Sequence, residues 1–209
     1  MAEGVVQERL LQDRSLPVGS ANKRSVGWWG VIGLIGTEAS LFAYLLFTYF
    51  YVTLNITTAW PPDGPPDFKL AAPNTVILIA SSFTLWYGER SVKRRRTGMA
   101  VAMIALSIVL GSVFVFLQFK EWAGKGFGMS SHTYGSLFFT ITGFHVAHVL
   151  CGLIVMAFLL LWTALGYFDE ERHAAVSIGA LYWHFVDVVW LFIFTSLYIT
   201  PHLGLVHGQ

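Results

Sequence analysis

The sequence predicts an all-α membrane protein, a polytopic bundle of five transmembrane helices. Of its 209 residues, 55% are hydrophobic and only 12% are charged, whereas soluble domains carry about 25% charged residues. The mean hydropathy is +0.61. A helix needs roughly 20 mainly apolar residues to cross the hydrocarbon layer. Five segments within a single predicted transmembrane domain, residues 27–201, meet this requirement: 28–54, 73–91, 98–121, 133–163 and 177–200.

The first predicted span follows a polar N-terminal tail, residues 1–26. This tail lacks the apolar core and small-residue cleavage site of a signal peptide, so we expect the first span to direct its own insertion. Small residues recur in this span at spacings of three and four, a pattern that lets another helix approach closely. They are Gly30, Gly33, Gly36, Ser40 and Ala43.

The second and third spans are each preceded by a distinctive connection. Residues 61–66, PPDGPP, contain four prolines that cannot continue a helix, so we predict an ordered or extended surface loop before the second span. A short basic turn joins the second span to the third. We interpret its arginines as an orientation signal that also contacts lipid phosphates: Arg94, Arg95 and Arg96.

The fourth and fifth spans carry polar side chains at helical spacing. On the fifth span, His184 and Asp187 are three residues apart and therefore share a face. A short tail, residues 202–209, follows this span. On the fourth span, the spacing of the polar and small residues predicts one stripe along the helix: Thr142, His145, His148 and Gly152.

Basic residues set the predicted orientation. Ten of the thirteen Lys and Arg residues lie in the N-terminal tail, the second–third turn and the fourth–fifth connection. We therefore place the N-terminus in the cytoplasm (or matrix) and the C-terminus outside. The net charge of +1 gives no indication of a nucleic-acid partner. Cys151 is the only cysteine, which excludes an intrachain disulfide and a cysteine metal framework.

Two acids, Glu38 and Asp187, lie deep inside predicted spans. An ionised side chain at the bilayer centre costs about 2.5–3.5 kcal/mol, so such a residue is expected to be paired, protonated or functional. Two interpretations of Glu38 stand level. It is either a protonated acid that hydrogen-bonds a neighbouring helix or a proton-related, regulatory acid.

The histidines of the last two spans leave a ligand-binding interpretation open. Facing histidines can hold a haem axially, which would use His145, His148 and His184. A bundle metal site would need more carboxylates and a Glu-x-x-His motif. We favour an interhelical hydrogen-bond cluster, in which each bond contributes about 0.6–2 kcal/mol. We predict that Asp187 finds its partner within the bundle, on the span that carries His145 and His148.

Four features together resemble subunit III of the haem–copper oxidases. They occur in the order typical of that family and extend over most of residues 28–200. The run WHFVDVVWLF is highly specific, and its pairing with the FHxxH stretch makes a chance match improbable. The features are the intramembrane Glu38, NTVILIASS (74–82), FFTITGFHVAH (138–148) and YWHFVDVVWLF (182–192).

The resemblance implies a subunit without haem or copper of its own. In that family, subunit III packs beside subunit I, which holds the haems and the copper-associated oxygen site. The complex reduces oxygen to water with electrons from cytochrome c or quinol and pumps protons. We therefore expect a non-catalytic subunit that supports proton uptake and the stability of subunit I, binds phospholipids, and is an enzyme only as part of the complex. Its expected partners are subunits I and II, in the bacterial cytoplasmic (inner) membrane.

The resemblance also suggests roles for individual residues. Glu38 matches the intramembrane glutamate of the family, with a proton-related or structural role. Positions in the motifs of the last two helices are matched by a polar cluster: His145, His148, His184 and Asp187. Trp183 also matches such a position and is expected, like Arg94, Arg95 and Arg96, at the lipid interface. Neither a catalytic residue nor a metal ligand is expected in this chain.

Longer members of the family begin with two further helices across a lipid-filled cleft, and this chain begins just before the third. We therefore expect the cleft only where another chain supplies its far wall. Quinol oxidase subunit III and nitric oxide reductase-associated subunit III-like proteins are alternatives within the family. A membrane haem protein is a more distant one. A transporter that uses Glu38 and Asp187 as proton carriers is disfavoured because no internal repeat is visible.

Overall fold

A computed structural model describes residues 25–56, 60–62, 64, 66–168 and 172–203. Five long helices account for most of these residues, and no strand occurs among them. Each helix is long and apolar enough to cross a membrane, which confirms the predicted all-α, five-span fold. The helices are α1 (Val26–Asn55), α2 (Phe68–Val92), α3 (Thr97–Ala123), α4 (Thr133–Ala164) and α5 (Ala174–Phe194). Helix α5 continues through a short π-helix (Thr195–Ile199) and a final helical turn (Thr200–His202).

Helix α2 begins at Phe68, five residues before the predicted start of the span. The side chain of Asp67 accepts a hydrogen bond of 2.9 Å from the Lys69 amide and so caps the first turn. Pro73 lies inside the helix, where its missing N–H leaves the Lys69 carbonyl without its usual partner.

The proline-rich connection before α2 is not helical in its described residues, as predicted. It does not lie wholly on the surface, because Trp60 is only 2% exposed. The Trp60 ring packs between Tyr49 of α1 and Tyr134 of α4, with ring centroids 5.9 and 5.2 Å away. This connection therefore ties α1 to the bundle at the end opposite the basic turn.

Glycines allow close contact among α2, α3, α4 and α5. A Cβ atom added to Gly111 of α3 or Gly152 of α4 would lie 2.8 or 2.7 Å from the Trp183 ring of α5. Trp183 therefore fills a slot between two glycines on different helices. By contrast, a Cβ added to any of the α1 glycines predicted to form a packing face would have no atom within 4 Å among the described residues: Gly30, Gly33 and Gly36.

Helix α1 lies at the side of the bundle, against α4 and α5. Only 6% of the residues in its most apolar stretch are buried. The corresponding share of buried residues is 33% in α2, α3 and α4 and 50% in the last helix. The small-residue face of α1 is therefore open in this chain. The N-terminal and C-terminal tails predicted from the sequence fall, except for a few residues, outside the described part of the chain.

Candidate functional site

Glu38 lies on α1 and bonds to a histidine of α4. Its Oε2 is 2.9 Å from Nε2 of His148. The other ring nitrogen of His148, Nδ1, lies 2.6 Å from the Phe144 carbonyl. The side chains are 27% (Glu38) and 15% (His148) exposed, so the contact is at the side of the bundle. Glu38 thus contributes a polar link between the peripheral α1 and the other helices.

The geometry fixes how many protons this contact holds. A carbonyl can only accept, so Nδ1 of His148 carries a proton and donates it to Phe144. One further proton must then lie between Nε2 and Glu38. Either a neutral carboxylic acid donates to a neutral imidazole, or an imidazolium donates to a carboxylate. The pair is electrically neutral in both arrangements, which reduces its cost in hydrocarbon.

Asp187 and His184 of α5 share one hydroxyl group on α2. The Ser82 hydroxyl hydrogen-bonds the Asp187 carboxyl group and lies 2.8 Å from Nδ1 of His184. The prediction that Asp187 finds a partner within the bundle is confirmed. The predicted location on the His145 and His148 span is wrong, because α5 presents this face to α2 and the histidines of α4 lie elsewhere.

A serine hydroxyl has one proton, so the three groups form a directional chain. If Ser82 donates to Asp187, Nδ1–H of His184 donates to Ser82. If Asp187 is protonated and donates, the serine proton points to Nδ1. The other carboxyl oxygen of Asp187, Oδ1, is buried and has no hydrogen-bond partner among the described residues. This chain of hydrogen bonds therefore has Asp187 at its buried end and His184 at its outer end.

His145 does not join either cluster. It is fully buried, and neither ring nitrogen has a hydrogen-bond partner in the described structure. Aromatic rings surround it, with the Trp190 centroid at 4.9 Å and the Phe114 centroid at 5.8 Å. The predicted stripe on α4 is thus divided, because His148 faces α1 whereas His145 faces the aromatic core. In the described part of the chain, no group of three His, Cys, Asp or Glu residues is arranged to hold a metal ion.

Trp183 corrects a further expectation. It was expected at the lipid interface, but it is 0% exposed. Its Nε1–H donates to the Ser81 hydroxyl at 3.0 Å, and Ser107 of α3 donates to the Ser81 carbonyl at 2.6 Å. Trp183 is therefore a core residue that joins α5 to α2. Arg94, Arg95 and Arg96 form an exposed turn between α2 and α3, where contact with lipid phosphates stays a prediction.

Sequence reasoning missed two further acids near span ends, of which Glu89 is partly buried and Glu121 is buried. Glu89 of α2 accepts a hydrogen bond from Ser177 of α5 at 2.6 Å and pairs with Lys93 at 2.6 Å. Glu121 of α3 is 7% exposed; it pairs with Lys125 at 3.0 Å and accepts a hydrogen bond from Tyr198. The available signal was the lysine four residues after each acid, the spacing of a helical ion pair.

Comparison with known proteins supports one family. Residues 20–201 match the family model described as cytochrome c oxidase subunit III. The chain is similar to cytochrome c oxidase subunit 3 of Myxine glutinosa (34% identical over 177 residues) and of Cyprinus carpio (36% over 177 residues). Each alignment covers 81% of this chain and 68% of the relative. The match extends from before α1 to the end of the last helix.

Proposed function

Because the chain belongs to the cytochrome c oxidase subunit III family, we propose that it is a non-catalytic subunit of a proton-pumping haem–copper terminal oxidase. Family membership supports assembly with other oxidase subunits. We take these to be subunits I and II, which would carry the haem and copper, with cytochrome c rather than quinol as the electron donor. This chain would stabilise subunit I and assist its proton uptake.

Family membership carries the proposed assembly, and the contact between Glu38 and His148 supports the proposed part in proton uptake. This contact holds one transferable proton between α1 and α4 without a net charge. Because both groups are partly exposed at the side of the bundle, a neighbouring subunit can reach them. A proton can move between carboxyl and imidazole over 2.9 Å with little rearrangement of either side chain.

The proposed setting is the bacterial cytoplasmic membrane, with the N-terminus in the cytoplasm and the C-terminus outside. The distribution of basic residues supports this orientation. Phospholipids are proposed to contact the turn formed by Arg94, Arg95 and Arg96. The relatives reported above are vertebrate mitochondrial proteins.

Purification of the tagged chain from native membranes tests the proposal. We expect haem-containing subunit I and a copper-containing subunit II to copurify in stoichiometric amounts. A soluble copper domain in subunit II, with Cys, His and Met ligands, would identify cytochrome c as the donor. Purification of this chain without other oxidase subunits, or with stoichiometric haem bound to the chain alone, would contradict the proposal.

A further inference from the structure

A largely apolar groove on the outside of the bundle has two aromatic side chains of α2 along one side and includes the polar side chains of Ser82 and His184. It lies between α2 and α5 and has a volume of about 300 Å³, at the lower end of small-molecule sites. Arg90, one turn further along α2, lies over the Trp86 ring at 5.6 Å. The residues that line the groove are Ser82, Phe83, Trp86 and His184.

The polar side chains of the groove lie near the centres of their helices, and we take these centres as the midplane of the membrane. Ser82 is two residues beyond the centre of α2, and His184 is four residues before the centre of the last helix, 174–202. At a rise of about 1.5 Å per residue, both lie about 3–6 Å from the midplane. The hydrocarbon layer extends about 15 Å to each side. Phospholipid headgroups and sterol hydroxyls therefore stay about 10 Å away from these side chains.

The polar side chains of the groove have unused hydrogen-bonding capacity. Nδ1 of His184 bonds to Ser82, and Nε2 has no hydrogen-bond partner among the described residues, so it can meet a ligand in the groove. The direction of the Ser82–Asp187 hydrogen bond determines whether Nδ1 of His184 carries a proton. Nε2 is an acceptor when Nδ1 is protonated and a donor when it is not. The aromatic side chains are flat and accessible, since Phe83 is 68% and Trp86 49% exposed.

We propose that this groove binds the ring of an isoprenoid quinone or quinol. Such a ring is uncharged, so it enters hydrocarbon without the cost of a charged group. Its oxygen atoms can accept from or donate to Nε2 of His184 in either redox form, and its plane matches the aromatic side chains. A phospholipid acyl chain would cover the aromatic side chains but would leave Nε2 of His184 without a hydrogen-bond partner. The quinone or quinol is bound here without electron transfer. This inference does not depend on the function proposed above.

Photolabelling of the full chain in quinone-free phosphatidylcholine nanodiscs tests the site. An arylazido ubiquinone is the probe, decylubiquinone is the competitor, and mass spectrometry locates the label. We expect saturable labelling of the segments that contain Phe83–Trp86 and His184, abolished by excess decylubiquinone. His184→Asn places an amide nitrogen where Nδ1 lies and so keeps the bond to Ser82, but it lacks Nε2. This variant should bind decylubiquinone roughly tenfold more weakly, as expected for one lost hydrogen bond in an apolar site.

Phe116→Ala, which removes an aromatic ring on α3 that is also 68% exposed, is the matched control and should bind as the native chain does. A circular dichroism melt establishes that each variant is folded. Trp86→Ala provides a second test that leaves the polar chain intact, and it should also weaken binding. The proposal is overturned by labelling spread evenly over exposed aromatic residues, by binding that His184→Asn and Trp86→Ala leave unchanged, or by a copurified phospholipid that decylubiquinone does not displace.

Discussion

The contact between Glu38 and His148 defines what a substitution at either residue removes. A glutamine at position 38 can still donate an amide N–H to Nε2 of His148, so the link between α1 and α4 survives. The amide cannot release a proton, so the transferable proton is lost. Glutamine therefore separates the structural part of the role of Glu38 from its proton-related part, whereas alanine removes both.

We expect the Glu38→Gln variant to assemble normally. The oxidase that contains it should complete fewer turnovers before it loses activity. Proton uptake and oxygen consumption by the purified complex measure this effect. Glu38→Ala should in addition destabilise the chain by about 1 kcal/mol, the usual contribution of one interhelical hydrogen bond in a membrane. Equal proton uptake and equal lifetime in native and Glu38→Gln oxidase would limit Glu38 to a structural role.

At the scale of residues, the sequence identified the chemistry but not all of the pairing. Glu38, His148, His184 and Asp187 stand out because polar groups in apolar spans are costly. Their partners depend on how helices 100 residues apart are packed, and no local pattern encodes that packing. Ser82 was inconspicuous because serine is common in membrane helices and is often bonded to its own helix.

At several glycines the helices approach so closely that a larger side chain would not fit. Gly152 of α4 faces the Trp183 ring, and Trp183 cannot move because it is fully buried between two helices. A Cβ atom at 2.7 Å from that ring would overlap it. Gly143 lies on the same helix with no atom within 4 Å of an added Cβ among the described residues, and it therefore provides a matched control.

We expect Gly152→Ala to destabilise the bundle by about 1–3 kcal/mol, the usual cost of overpacking. Gly143→Ala should be neutral or slightly stabilising, because alanine favours a helix by about 1 kcal/mol over glycine. Denaturant unfolding of both variants in detergent micelles, followed by Trp fluorescence, gives the two values. If the two alanine variants were equally stable, the slot around Trp183 would not limit packing.

The first turn of α2 gives an expectation about pH. The Lys69 amide donates to the Asp67 carboxylate and holds the pKa of that carboxyl below its usual range. A carboxyl group whose pKa is lower in the folded state stabilises the fold above its unfolded pKa, about 4, and loses this effect as the pH falls through the folded value. The turn should therefore fray in acid.

Hydrogen exchange of the amides in residues 69–72 measures this fraying. Protection should fall below about pH 4 in the native chain. Asp67→Asn keeps an oxygen that can accept from the Lys69 amide and does not titrate, so its protection should show no such fall. Asp67→Ala should lack protection at every pH. A native chain whose protection changes no more with acid than that of Asp67→Asn would argue against a role for the carboxylate in this cap.

For the whole molecule, composition was sufficient to predict the number of spans but not their arrangement. Five apolar segments predict five helices, since every backbone polar group in hydrocarbon must be satisfied within its own helix. Which helix is central follows from side-chain packing. The glycine pattern of α1 predicted a close helix contact, yet the close contacts form at Gly88, Gly111, Gly152 and Gly179. Each of these four glycines lies on a different helix, with no second glycine three residues away, so the repeated glycines of α1 did not indicate where the helices meet.

The peripheral position of α1 predicts a graded stability. Helix α1 packs on α4 and α5 along one side only, and its most apolar stretch is 6% buried against 50% for the last helix. The Glu38–His148 contact and the buried Phe42 ring, 5.1 Å from the His148 ring, link the middle of the helix to the bundle. The Tyr49–Trp60 packing links its C-terminal part. No residue of α1 before Phe42 is buried in the described structure, so local opening of the first half of α1 should cost less than opening of the core helices.

Hydrogen exchange of the isolated chain in micelles tests this gradient. We expect amides of α1 in residues 30–37, before the Glu38 and Phe42 contacts, to exchange at least tenfold faster than amides of α5 in residues 180–190. Glu38→Ala should accelerate exchange in α1 and leave α5 unchanged. In the purified oxidase the difference should shrink, because a neighbouring subunit that covers the open face of α1 adds the missing contacts. Protection of α1 that equals that of α5 in the isolated chain would show that one-sided packing is enough to hold this helix.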